Sequence, residues 1–309
     1  MARIFVPNAA TIRQARSVMT GADFSVGGDT TVEFHPSYCH MQPWVLSALA
    51  AWALAHRDAG GTINVENANR AMYAWRFGLG EYFDVDVESA QRHEEAGRFI
   101  PLRRVSSASD LSQLLSDMVT LLHVDLESSK AVMYAMSEMV RNTLEHSRAR
   151  YGAIVCAQSY PVSRGRRYVS IGIADAGQGI RASLGTNYPF ATDRKAVLEA
   201  IKPGVSGATG RADNAGAGLF ITRRLSAATG GYFAVGSGEA MFRSSLAQRP
   251  PAEDRLVIDI PSYPGTIVSV ELGLDPDADF AQTFAEAREA FGSQIVGRRT
   301  DIAERVRFS

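Results

Sequence analysis

At 309 residues the chain is long enough for two ordinary cores. Its 32 lysines and arginines against 33 aspartates and glutamates leave a formal charge of -1, so no net field draws in nucleic acid or an anionic membrane. The two cysteines, Cys39 and Cys156, are far apart in apolar surroundings, which excludes a disulfide framework or a zinc-type spacing and predicts buried thiols. The opening residues hold no basic segment leading into an apolar core, and the most apolar run, 43–55, falls short of the ~20 residues a membrane span needs. A soluble, cytoplasmic protein with neither a membrane nor a nucleic-acid partner is the expectation.

In chain order, Arg3 to Val6 is a strand candidate and Thr11 to Met19 a first helix. Thr30 to Phe34 alternates as a strand, and Met41 to His56 follows as a long helix of alanine, leucine and tryptophan. Gly60 and Gly61 end it, Thr62 to Val65 is the next strand, and Asn69 to Phe77 is a helix closed by Gly78. Strands and helices alternating over this length predict an α/β unit with parallel strands. The layout is a strand ending near His35, a helix carrying Leu46 and Leu49, the strand Ile63 to Val65, and the closing run Gly78 to Phe83. It resembles the small sulfate-transporter and anti-sigma-antagonist (STAS) domain, and the resemblance implies a STAS-like α/β domain over 1–100.

Glu88 to Ser109 is polar and reads as a junction, and Asp110 to His123 is helical, with Leu111, Leu114, Leu115 and Met118 on a broad apolar face. From Ser129 to Ser147, Val132, Met136, Met139 and Thr143 return at helical spacing, while Glu138, Asn142 and His146 follow one another at i,i+4 steps along a polar edge. Tyr151 to Tyr160 and Tyr168 to Ala174 make a hairpin. Thr192 to Lys202 and Leu219 to Thr229 are helices; Tyr232 to Val235, Leu256 to Ile260 and Gly265 to Leu272 are strands, and Gly238 to Phe242 is a strand or a turn. This order predicts a two-layer α/β sandwich over 108–273. A charged helical tail over 274–309 either meets a partner or packs on its own domain.

Taken alone, the polar edge of the Ser129 helix is the rim of a surface helix. Three turns downstream give it the outline of a nucleotide site. Asp175, Gly177 and Gly179 form an Asp-x-Gly-x-Gly turn; Asn214, Gly216 and Gly218 form a second glycine-rich turn ahead of a helix at Leu219; Gly265 and Thr266 lead into the last strand. Asn142 offers an amide oxygen of the kind Mg²⁺ accepts, and Glu138, one turn earlier, can take a proton from a nucleophile attacking a terminal phosphate or hold it in line. Asp175 can accept from an exocyclic amino group such as that of adenine, with Gly177 and Gly179 permitting close backbone approach. Gly216 and Gly218 aim backbone N–H groups at phosphate oxygens, and 204–215 is a candidate lid. Lys202, Arg211 and Arg223 are candidate charge partners; Thr266 either hydrogen-bonds near the base or is simply a β-branched strand residue.

Together these segments resemble the ATP-binding (GHKL, Bergerat-fold) domain shared by gyrase-type topoisomerases, a heat-shock chaperone, histidine kinases and mismatch-repair ATPases, over about Asp110 to Leu272. The resemblance implies Glu138 as catalytic base, Asn142 as Mg²⁺ ligand and His146 as the basic residue one turn on. It implies Asp175, Gly177 and Gly179 as the adenine turn, Asn214, Gly216, Gly218 and Leu219 as the phosphate turn, and Thr266 beside the base. Asn214 stands where the family has a glycine, an exchange that left-handed backbone angles allow, and Arg141 precedes Asn142 where the family varies. ATP and Mg²⁺ are the implied cofactors, and the implied function is a regulatory ATPase or protein kinase with a regulatory protein partner. A non-catalytic module in which ATP orders the lid is the alternative, and a homodimer is left open.

Overall fold

The computed structural model describes residues 2–85, 99–122, 126–163, 166–185, 188–206, 216–245, 256–274 and 280–307. The first half contains β1 (Ala2–Val6), β2 (Ala9–Ala10), α1 (Ala15–Thr20), β3 (Asp29–Phe34), β4 (His40–Met41), α2 (Pro43–Asp58), β5 (Thr62–Glu66), α3 (Met72–Arg76) and α4 (Leu79–Phe83). β1, β3 and β5 pair parallel in that spatial order, as the alternation of strands and helices predicts. Pro43 opens α2 with a backbone angle already suited to a first helical turn. The helix is then apolar almost all round, so it needs cover on every side.

The second half supplies that cover. It contains β6 (Phe99–Val105), α5 (Ala108–Leu122), α6 (Leu126–His146), β7 (Ala153–Ser163), β8 (Arg166–Asp175), α7 (Gly179–Leu184), α8 (Asp193–Ala200), α9 (Gly218–Ala228), β9 (Tyr232–Ser245), β10 (Val257–Leu274) and α10 (Phe280–Arg307). Five strands form one antiparallel sheet in the order β6-β7-β8-β10-β9. One face packs under α5, α6 and α9, where Leu114, Met136, Val140, Ile221 and Leu225 share a core with Val155, Ile171 and Val270. The opposite face carries α2, where Trp44, Leu49 and Trp52 share a core with Ile154, Cys156, Ala174, Met241 and Ile267.

The seam between α2 and the sheet is tight. A Cβ on Gly172 would lie 2.2 Å from the carbonyl carbon of Pro43, so only glycine lets helix and strand meet there. The Ser47 hydroxyl donates to the Gly172 carbonyl at 3.0 Å, the Tyr263 hydroxyl to the Ala48 carbonyl at 3.1 Å, and the Gln42 amide to the buried Glu271 carboxyl at 2.6 Å. The chain is mixed α/β. The two layers were expected for 108–273 alone; α5, α6 and α9 of that stretch lie on one face of the larger sheet, and α2 from the first half lies on the other.

Four local expectations change. The junction read between Glu88 and Ser109 contains β6, an edge strand of the main sheet, so the boundary at residue 100 falls inside a strand. The pieces 256–260 and 265–272 are one strand, β10, whose register shifts around Tyr263 absorb Pro261 and Pro264. The two pieces read between Tyr232 and Phe242 are likewise one strand, β9, and the short helix α7 was not anticipated. The tail packs on its own chain: Phe280 is buried in the core under α6 and α9, and Phe284 lies edge-on to Tyr134 at 4.7 Å. Both cysteines are free and buried. Among the described residues no helix is long and apolar enough to cross a membrane.

Candidate functional site

Helix α6 places its two stripes as its spacing predicts. Val132, Met136, Met139 and Thr143 are buried, and Glu138, Asn142 and His146, joined by Met139 and Thr143, line a hollow of about 500 Å³. The far wall comes from the ends of the central strands. Asp175 closes β8 directly opposite Thr266 of β10, and both line the same hollow. Gly179, Gly216, Gly218 and Leu219 complete the set of expected residues around it.

The second glycine turn touches the helix itself. A Cβ on Gly218 would lie 2.8 Å from Glu138 Oε2 and 3.2 Å from Asn142 Nδ2, so the start of α9 abuts both side chains. Gly216 has φ +81° and would push a Cβ to 2.5 Å from the Val205 carbonyl oxygen. It therefore needs glycine both for its angle and for its contact with the backbone of Val205 in the segment after α8. Asn214, Arg211 and the interior of the expected lid lie outside the described residues.

Gly177 has a different role from the one expected. It does not line the hollow; a Cβ there would lie 2.2 Å from the Ser147 carbonyl oxygen. Its bareness lets the Asp175 turn seat against the end of α6. The backbone N–H of Gln178 then donates to the Ser147 carbonyl at 2.8 Å, and its side-chain amide donates to the His146 carbonyl at 2.7 Å. Gly179, at φ +74°, starts α7, and the Ile180 N–H donates to Ser237 Oγ at 2.8 Å. That hydroxyl donates onward to the Gly265 carbonyl at 2.7 Å, which ties α7 to the turn before Thr266. Lys202 is also not a lining residue: it pairs with Glu199, one turn back on its own segment.

Burial pushes the Asp175 carboxyl up to about 7, against hydrogen bonds from the backbone of Gly177 and Thr266 that favour its charged form. The Gly177 N–H donates to Oδ1 at 2.9 Å. Burial also raises Glu138, with Glu145 adding to the shift and Arg141 opposing it. Arg141 stands 3.9 Å from Glu138 across one helical turn.

No family model, curated protein or solved structure matches this chain. What the hollow accepts follows from its own chemistry. One end is a buried acceptor with apolar walls from Ile180, Leu184, Val235 and Val268, suited to a flat ring bearing an amino group. The other end has backbone at a helix start, an amide and a carboxylate, suited to oxygen-rich groups. With Glu138 and Glu145 against Arg141, and Asp175 adding charge above its raised pKa, the lining is acidic, so a polyanion enters more easily with a divalent cation than without one. Among the described residues no cluster of three or more His, Cys, Asp or Glu side chains stands ready to hold a metal by itself. Asn142, one amide with a carboxylate a turn away, is a donor set for a cation such as Mg²⁺ that takes most of its oxygens from ligand and water.

The walls were harder to foresee than the polar groups. Val268 shares its strand face with Thr266 two residues away, and Val235 is its cross-strand partner. That period of two was the available signal. Val205 and Ser206 come from a segment with no periodic pattern. Arg141 was noted only as a variable neighbour of Asn142, although its i,i+3 spacing from Glu138 puts it on the same edge.

Proposed function

We propose that the protein binds ATP with Mg²⁺ in this hollow, as a regulatory protein of the histidine kinase-like (GHKL, Bergerat-fold) ATPase type. The observation that carries this reading is that one cavity joins Glu138, Asn142, Asp175, Gly218 and Thr266, residues drawn from four separate segments of the chain. In this account the adenine amino group donates to Asp175 while Ile180, Leu184, Val235 and Val268 enclose the ring. The triphosphate runs toward Gly216 and Gly218, where the backbone N–H groups at the start of α9 face its oxygens. Asn142 would be the protein's ligand to the Mg²⁺, which supplies charge neutralisation along the phosphates. Glu138, half-buried and with a raised affinity for protons, holds the attacking water or hydroxyl in line and accepts its proton. Phosphoryl transfer then rests on positioning and charge rather than on any covalent group of the protein.

Incubation with γ-labelled ATP and Mg²⁺, alone and with cell extract, reads free phosphate and labelled protein together. Turnover by the wild type is expected, as is its loss by at least about a hundredfold in Glu138→Ala with ATP binding retained. A Glu138→Ala protein that turns over as fast as the wild type removes the catalytic role. A wild type that binds ATP but releases neither phosphate nor phosphoprotein supports instead the module in which ATP only shifts a conformational balance.

A further inference from the structure

We infer that Arg141 reads the terminal phosphate, so that this site distinguishes a nucleoside triphosphate from a diphosphate by one guanidinium on α6. The inference rests on the nucleotide reading above and adds to it the group that selects phosphate number.

The hollow's charges frame the problem. A triphosphate with one Mg²⁺ still carries net negative charge, and the lining already holds the carboxyls of Glu138, Glu145 and Asp175. Some cation must face the end of the phosphate chain. Of the three cations expected from the sequence, Arg211 lies outside the described residues and the other two are engaged elsewhere: Lys202 pairs with Glu199, and the Arg223 guanidinium lies 5.1 Å from the centre of the Phe242 ring. Neither lines the hollow. Among the described lining residues Arg141 is the one lysine or arginine, and its side chain is 60% exposed.

Its place on the helix fixes which end of a ligand it meets. Glu138 and Asn142 abut Gly218 at the phosphate end, and Arg141 lies between them in sequence, 3.9 Å from the Glu138 carboxylate. Asp175 and Thr266 belong to the opposite wall. A guanidinium beside Glu138 reaches the phosphate being attacked, not the base. Without ligand its charge rests against Glu138; a terminal phosphate offers two or three oxygens in a planar fork's geometry and competes for the same side chain. A diphosphate ends one group short and leaves that pairing in place.

The test is calorimetric titration with Mg²⁺-ADP and with Mg²⁺ and the uncleavable β,γ-imido analogue of ATP, on wild type, Arg141→Ala and Arg141→Lys. The exposed position predicts native melting for both variants, checked by circular dichroism. The wild type binds the triphosphate analogue about 10- to 100-fold more tightly than ADP, the range for one charge-assisted phosphate contact. Arg141→Ala brings that ratio to near one by weakening the analogue alone, and Arg141→Lys keeps part of it. Equal affinities in the wild type, or a variant that weakens ADP and the analogue alike, overturn the inference. A wild type that binds neither nucleotide overturns the functional reading beneath it.

Discussion

Asp175 is buried to 2% exposure, yet it carries an ionisable group, and the conflict has a measurable sign. Its carboxyl titrates at about 7 in the folded chain, raised from 3.8 by loss of water. Between those values the folded state holds a proton that the unfolded chain releases, so stability is fully present below pH 4 and is lost as pH rises through 7. The loss amounts to about 4 kcal/mol by pH 8. Asp175→Asn keeps the shape without the charge. Its melting temperature at pH 8 should exceed that of the wild type, and the gap should shrink steadily and vanish near pH 4. Parallel melting curves for the two proteins across that range would contradict the assignment. The charged form is also the better acceptor for an adenine amino group, so wild-type ATP affinity should rise as pH passes 7.

At the scale of elements, the docking of α2 on the back of the main sheet turns on Gly172. Gly172→Ala sets a Cβ 2.2 Å from the Pro43 backbone, which neither element can move away from without breaking the Ser47 and Tyr263 hydrogen bonds. A loss of about 1–3 kcal/mol is expected, the range for overpacking a closed seam, and a denaturant titration measures it. An unchanged midpoint would mean that α2 does not press on the sheet. Nothing near Gly172 in the sequence announces this contact, because a glycine in an apolar strand names no partner. Gly177 was opaque for the same reason: a glycine two residues after an aspartate fits approach by a ligand or by the chain itself, and the Ser147 carbonyl decides between them only in three dimensions. β6 was hidden by Pro101 and the consecutive Arg103 and Arg104, although Ile100 and Val105 are its buried anchors. Helix α6 was legible because two independent patterns, an apolar stripe and a polar i,i+4 line, fall on one stretch.

For the molecule as a whole, the main sheet is held from both sides and the hollow opens where its central strands end. The N-terminal half reaches that end through Tyr263, which is bonded to Ala48 and lies just before Gly265. A Cβ on Gly265 would stand 2.2 Å from the Asp175 carbonyl oxygen, so the end of β8, the turn before Thr266 and α2 belong to one packed unit. The alternation of strands and helices made an α/β chain legible, and the order of the polar boxes made their convergence legible. The cover on the back face was not, because an all-apolar helix shows only that it is buried, not what buries it. On the proposed reading, Asn142, Asp175 and the second glycine turn surround one Mg²⁺-ATP. Isothermal titration of the wild type and of Asn142→Ala with ATP, with and without Mg²⁺, tests it most directly. The account predicts one ATP per chain, Mg²⁺-dependent tightening, and loss of that tightening by at least about tenfold in Asn142→Ala. No heat with the wild type, or identical Mg²⁺ dependence in both proteins, would contradict it.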